Sequence, residues 1–347
     1  MPEDPVNHID FEDLGKKAIS APLVSHLYTA DPSAHVFNGR LYIYPSHDID
    51  AGDAFDDLGS HFAMEDYHVL SLQSPADTKA ADHGVALHVK DIPWAEKQLW
   101  APDAAEKDGQ YFLYFPAKDY QGIFRIGVAV SHRPEGPFTP RPGAMANSFS
   151  IDPAVFKDDD GQYYMYFGGI WGGQLQRWRN GQFNAGQPES PFAFLPEKNE
   201  PALCPKVARL SDNMLEFDET PRDLLILDEN GNPLLQGDTE RRFFEASWMH
   251  KYQGTYYFSW STGDTHYLCY ATGNNPYGPF TYQGRILDPV VGWTTHHSIC
   301  EWEGQWYLFY HDASLSKGVT HLRCVKMAPL THDENGRIQL IQPYHKL

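Results

Sequence analysis

Apolar and polar positions along this chain fall into short runs, and the same run returns five times behind a glycine turn. The copies are GRLYIY at Gly39, GQYFLYF at Gly109, GQYYMYF at Gly161, GTYYFSW at Gly254 and GQWYLFY at Gly304. Each is an aromatic and β-branched run of strand type, and each follows a short apolar segment: AHVF, DAAE, PAVF, SWMH or SICEW. Together the two halves read as a β-hairpin. A further strand of small or alternating residues comes after each hairpin: DYHVLSL (66–72), IGVAVSH (126–132), KVARLS (206–211), HYLCYA (266–271) and HLRCVKM (321–327). Two units close on the same turn, PEGPFTP (134–140) and PYGPFTY (276–282), where Gly-Pro-Phe stops a strand.

A unit of three or four antiparallel strands cannot cover both of its faces, but units set radially around an axis cover one another. The pattern therefore predicts an all-β fold, a five-bladed β-propeller in a single domain. The blades are expected roughly at 26–75, 97–141, 149–222, 241–287 and 290–330. A β-sandwich is the alternative, and it does not need a repeated unit. The spacing is uneven between Gly161 and Gly254, where LILDENGNPLLQGDTERR (224–242) reads as an excursion from blade three reaching over one face, with DENGN as its hairpin turn. The acidic KDDDG (157–161) sits in a hairpin turn and is assigned to solvent.

Composition agrees with this reading. Aromatics make up 14% of the 347 residues, and 28 Gly and 26 Pro supply the turns. A formal net charge of −19 with no basic run argues against nucleic acid and membrane partners. Cys204, Cys269, Cys300 and Cys324 are spread singly, which points to free thiols rather than structural zinc or a disulfide framework. The acidic opening MPEDPVNHIDFEDLGKK lacks the basic start and apolar stretch of a signal peptide, so a soluble, cytoplasmic protein is expected.

In a propeller the innermost strands line one channel, so equivalent points of the repeats converge whatever their separation along the chain. Asp31 lies eight residues before Gly39, Asp152 nine before Gly161, Glu245 nine before Gly254 and His297 seven before Gly304. Three carboxylates and a histidine should share one funnel. Crowded carboxylates repel one another, so at least one should keep its proton near neutral pH. An acid and a base at one place are what acetal hydrolysis requires.

The stretches TADPSAHVFNGRLYIYPSHD, LWAPDAAEKDGQYFLYF, SIDPAVFKDDDGQYYMYFGG, FFEASWMHKYQGTYYFSWSTGDTH and THHSICEWEGQWYLFYH together resemble glycoside hydrolase family 43 over nearly the whole chain. That resemblance implies roles residue by residue: Asp31 as the general base that activates water, Glu245 as the general acid, and Asp152 as the group that keeps Glu245 protonated and oriented. It implies inversion at the anomeric carbon, with base and acid about 6.5–9.5 Å apart. Trp100 matches a pocket tryptophan suited to stacking on a sugar ring. Trp171 in GGIWGG, His266 in GDTHYL and His296 are further substrate-binding candidates. His297 matches the blade-five histidine that ligates an axial divalent cation, usually calcium, whose other ligands are mostly waters. Chemistry alone favours a hydrogen-bonded core histidine there, because calcium prefers oxygen ligands.

The substrate implied is a small xylo-oligosaccharide cut by an exo-acting β-xylosidase, with α-L-arabinofuranosidase activity as the near alternative. The Asn-Asp-Pro-Asn-Gly opening of fructan-cleaving propellers is absent, since this chain has Thr-Ala-Asp-Pro-Ser. A non-catalytic sugar-binding propeller is the reading from another class, and it would leave the three acids without a task. The sequence leaves a homo-oligomeric state open.

Overall fold

The computed structural model describes residues 9–345, and among them five sheets account for nearly all regular structure. The first sheet runs β1 (Tyr28–Phe37), β2 (Arg40–Asp48), β3 (Asp66–Leu72) and β4 (Ala81–His88). The second contains β5 (Ala95–Lys97), β6 (Asp103–Lys107), β7 (Gln110–Asp119), β8 (Phe124–Ser131) and β9 (Thr139–Pro140). The third is β10 (Ala154–Lys157), β11 (Tyr163–Phe167), β12 (Lys206–Arg209) and β13 (Arg222–Asp223). In the fourth, β15 (Glu245–Tyr252), β16 (Thr255–Ser261), β17 (Leu268–Gly273) and β18 (Phe280–Leu287) are extended by the short β14 (Ile226–Leu227). The fifth is β19 (His297–Trp302), β20 (Gln305–Asp312) and β21 (Cys324–Leu330).

The first strands of the hairpins touch in a closed ring, β1 to β6 to β10 to β15 to β19 and back to β1, which makes the molecule a five-bladed propeller. Each gap between blades holds its own apolar layer, as expected for sheets that cannot cover themselves. Tyr67 and Val69 meet Leu113 and Phe115 between the first two blades, and Leu41 and Ile43 meet Phe309 and Val325 between the first and the last. The N-terminal segment completes the last blade from outside. Leu23 donates its N–H to the Val325 carbonyl at 2.9 Å, so residues from the start of the chain lie against β21. The one α-helix among the described residues, Phe11–Lys17, is capped by Asp10, whose carboxylate accepts from the Glu12 and Asp13 amides.

Three details differ from the sequence reading. Blade one continues past residue 75 into β4, because the strand at 81–88 pairs with β3. The 224–242 excursion does turn at DENGN, with Asp228 N–H donating to Asn232 O at 2.8 Å, but none of its residues lines the cavity that holds the acids. It joins blade four instead, through β14 pairing in parallel with β18. In KDDDG, Asp158 is buried rather than solvated. It accepts from Tyr256 Oη (2.6 Å) and Lys251 Nζ (2.9 Å), tying the blade-three turn to blade four, because a turn beside the next blade can still be covered by it.

Candidate active site

Two matching β-bulges aim the acids. In β1, Asp31 and Pro32 stand opposite the single residue Pro45; in β15, Ala246 and Ser247 stand opposite Trp260. A bulge bends its strand and re-aims the neighbouring side chain. Asp31 (φ +49°), Asp152 (φ +57°) and Ala246 (φ +64°) all adopt left-handed backbone here, a conformation that non-glycine residues hold only where surrounding structure enforces it. The result brings Asp31, Asp152 and Glu245 onto the wall of one cavity of about 830 Å³, together with Trp100, Trp171, His266 and His296. His297 is fully buried and is not on that wall.

The three carboxyl groups have unequal surroundings. Burial by itself would raise the Asp31 pKa, but the Arg323 guanidinium, His296, His311 and the Ser46 hydroxyl together bring it down to about 2. Arg323 Nη1 donates to Asp31 Oδ1 at 2.9 Å and Ser46 Oγ to Oδ2 at 2.6 Å. Asp31's own N–H donates to His311 Nδ1 at 3.0 Å, and burial keeps that imidazole neutral, near a pKa of about 3. Arg323 is itself held by Asp48, whose two oxygens accept from its Nε and Nη2 at 2.8 Å. Such a fork holds the guanidinium in one plane.

Glu245 shows the opposite shift. Burial and the nearby Asp31 charge raise it to about 8, so its carboxyl carries a proton at neutral pH. Asp152 is also raised, by burial and by the charges of Glu245 and Asp31. Its Oδ2 accepts the Ala246 N–H at 2.9 Å, linking the two acids through the residue after Glu245. Two carboxyls pushed up beside one held down supply an acid and a base at one place.

The aromatic wall is built from residues of different blades. Trp100 is 9% exposed; its Nε1 donates to the Phe62 carbonyl (2.8 Å) and its ring packs on Phe124. It therefore belongs both to the core and to the cavity floor. Trp171 stands on a 3-10 turn, Trp171–Gly173, against Phe244 and Trp293. That turn passes so close to Leu58 that a Cβ on Gly172 would come within 2.6 Å of the Leu58 carbonyl oxygen, which is why glycine stands there. His266 Nδ1 lies 2.6 Å from the Trp293 carbonyl, so Nδ1 carries the hydrogen and Nε2 is left free. His296 Nδ1 accepts the His297 N–H at 2.8 Å, while its Nε2 is buried without a partner, 3.7 Å from Asp152.

For a metal at the axis, the test is what His297 offers. Its Nε2 is 2.6 Å from Ser259 Oγ and its Nδ1 is buried with no partner, as is Ser247 Oγ on the neighbouring inner strand. Burial keeps the ring neutral, with a lone pair available. These groups fit a cation that takes one protein nitrogen and completes its shell with water. Among the described residues, no second histidine, cysteine or carboxylate joins His297 in a three-ligand group.

Arg323, Asp48, Ser46 and His311 are absent from the sequence reading. A signal existed for Arg323, one of two cations, with Lys326, inside the strand stretch HLRCVKM, and for Ser46 and Asp48, which close the stretch GRLYIYPSHD.

Comparison with known proteins gives a consistent picture. A family model described as Glycosyl hydrolases family 43 matches residues 21–189. A xylosidase/arabinosidase of Bacteroides ovatus is 61% identical over 92% of this chain and 97% of its own length, and xylosidase/arabinosidase 43A of Humicola insolens is 60% identical over 93% and 99%. Among solved structures, a family 43 β-xylosidase/α-arabinofuranosidase from a compost microbial metagenome, a xylotriose complex in a calcium-free form, superposes with a TM-score of 0.92. It is 63% identical, covering 95% of this chain and 99% of that one.

Proposed function

The chain belongs to glycosyl hydrolases family 43, and from that premise we propose that it is an exo-acting β-xylosidase that releases xylose from xylo-oligosaccharides with inversion. The observation that carries this reading is the pairing, on one cavity wall, of a carboxylate held ionised with a carboxyl held protonated. In this reaction Asp31 accepts a proton from water as the water oxygen bonds to the anomeric carbon. Glu245 donates its proton to the departing glycosidic oxygen. Burial and the Asp31 charge hold the proton on Glu245, while Asp152, itself raised by the Glu245 charge, accepts the Ala246 N–H and so orients the backbone beside the acid. Arg323 and Ser46 are positioning residues that keep Asp31 ionised and fix its orientation. Trp100 and Trp171 offer flat faces to the sugar.

The relatives' double names support a second activity on α-L-arabinofuranosides by the same acid and base. We also assign to His297 an axial calcium ion, whose positive charge would help keep Asp31 ionised. The decisive experiment is proton NMR of sugar freshly released from xylobiose and from nitrophenyl β-xyloside and α-arabinofuranoside. α-Xylose should appear first. Initial β-xylose would overturn inversion, and no release from any substrate would leave a sugar-binding propeller.

A further inference from the structure

We propose a second divalent-cation site, of zinc type, formed by His47, Asp66 and His68 on the side of blade one turned away from the catalytic carboxylates. Each of the three offers one ligand atom, these atoms lie within 4.8 Å of one another, and this is the single such grouping among the described residues. Strand geometry explains the convergence. On β2, Ser46 and Asp48 direct their oxygens toward Asp31 and Arg323, so His47 between them points to the opposite face. On β3, Asp66 and His68 are two apart and share that face.

The surrounding groups are those of a ligand site. Asp82 Oδ1 stands 2.8 Å from His68 Nδ1, and because a carboxylate can only accept, Nδ1 carries the hydrogen and Nε2 is left as the bare nitrogen. A carboxylate orienting an imidazole in this way commonly supports a metal-bound histidine. Asp66 Oδ1 is 2.5 Å from His47 Nδ1, so the cation would take over the role of the proton between them. The three side chains keep 13–19% exposure, enough to admit an ion and a water as fourth ligand. Two imidazoles and one carboxylate suit zinc better than calcium or magnesium, which seek oxygen.

The test uses the full chain stripped with chelator, reloaded with saturating calcium so that the axial site is filled, and titrated with zinc chloride by calorimetry, with anomalous diffraction at the zinc edge to locate the ion. None of these readouts depends on turnover, so the outcome is separate from that of the glycosidase reading. One saturable equivalent is expected, with an anomalous peak between β2 and β3. It should be abolished in His68→Gln, weakened roughly 10–100-fold in Asp82→Asn, and retained in His297→Gln. Circular dichroism of each variant checks folding, and the diffraction experiment on the unaltered chain decides the matter should His68→Gln misfold. Absence of saturable binding, equal binding by a folded His68→Gln variant, or a peak elsewhere would overturn the proposal and leave these residues as a network of hydrogen-bonded pairs.

Discussion

Arg323 Nη1 stands 2.9 Å from Asp31 Oδ1, although the two residues are separated by 292 positions in the chain. The contact is made where the last blade meets the first. It decides the state of the base, because burial without a cation would push Asp31 upward.

Arg323→Lys tests this relationship. A lysine cannot reach Asp31 and both oxygens of Asp48 with one ammonium group. The expected result is a fall in kcat on the order of 10²-fold, together with an acidic limb of the pH–rate profile that moves upward as Asp31 becomes easier to protonate. An unchanged acidic limb with reduced kcat would assign Arg323 a merely structural part.

The alkaline limb reports Glu245. With its pKa near 8, kcat/KM should fall as pH rises through about 8, while Asp31, near 2, stays ionised throughout the working range. Stability carries the same signature. Between the ordinary glutamate value and about 8 the folded state holds a proton that the unfolded state has released, so stability declines with pH across that window. Glu245→Gln should remove the alkaline limb and flatten the dependence of Tm on pH between 5 and 8 attributable to this group.

Leaving groups separate acid from base. Glu245→Gln should slow xylobiose far more than nitrophenyl xyloside, since only the sugar leaving group needs a proton. Asp31→Ala should abolish turnover of both while the circular dichroism spectrum stays intact. Steady-state rates on the two substrates check both expectations.

Gly59→Ala tests the aromatic floor. A Cβ at Gly59, where φ is +81°, would lie 2.7 Å from the Trp100 ring, and that ring is fixed by Phe62 O and by Phe124. The indole must tilt into the cavity or the loop must move. KM for xylobiose should rise by up to roughly tenfold, the upper end of what loss of a stacking contact worth about 0.5–1.5 kcal/mol allows, with a smaller change in kcat.

His297→Gln tests the axial cation. Chelator should lower turnover by the unaltered enzyme, and added calcium should restore it; the variant should respond to neither. Equal chelator sensitivity in both proteins would place the ion elsewhere.

The five-fold recurrence of glycine turn and aromatic strand determined the blades, and position within the repeat determined which acids would meet. Asp31, Asp152 and Glu245 were legible because a propeller maps repeat phase directly onto distance from its axis. Two of the cavity tryptophans, Trp100 and Trp171, could be picked out by the stretches around them, but Trp293 was missed. Phase says nothing about partners, however. Whether Asp31 would be ionised depended on Arg323, Ser46 and His311, which come from blades one and five and meet only when blade five closes on blade one. Asp158 shows the same limit, since its turn sequence looks solvated and its burial comes from blade four. Periodicity is a local property of the chain and survives in the sequence. Charge state is a property of distances of a few ångströms between remote segments, and only the closed ring of blades sets those.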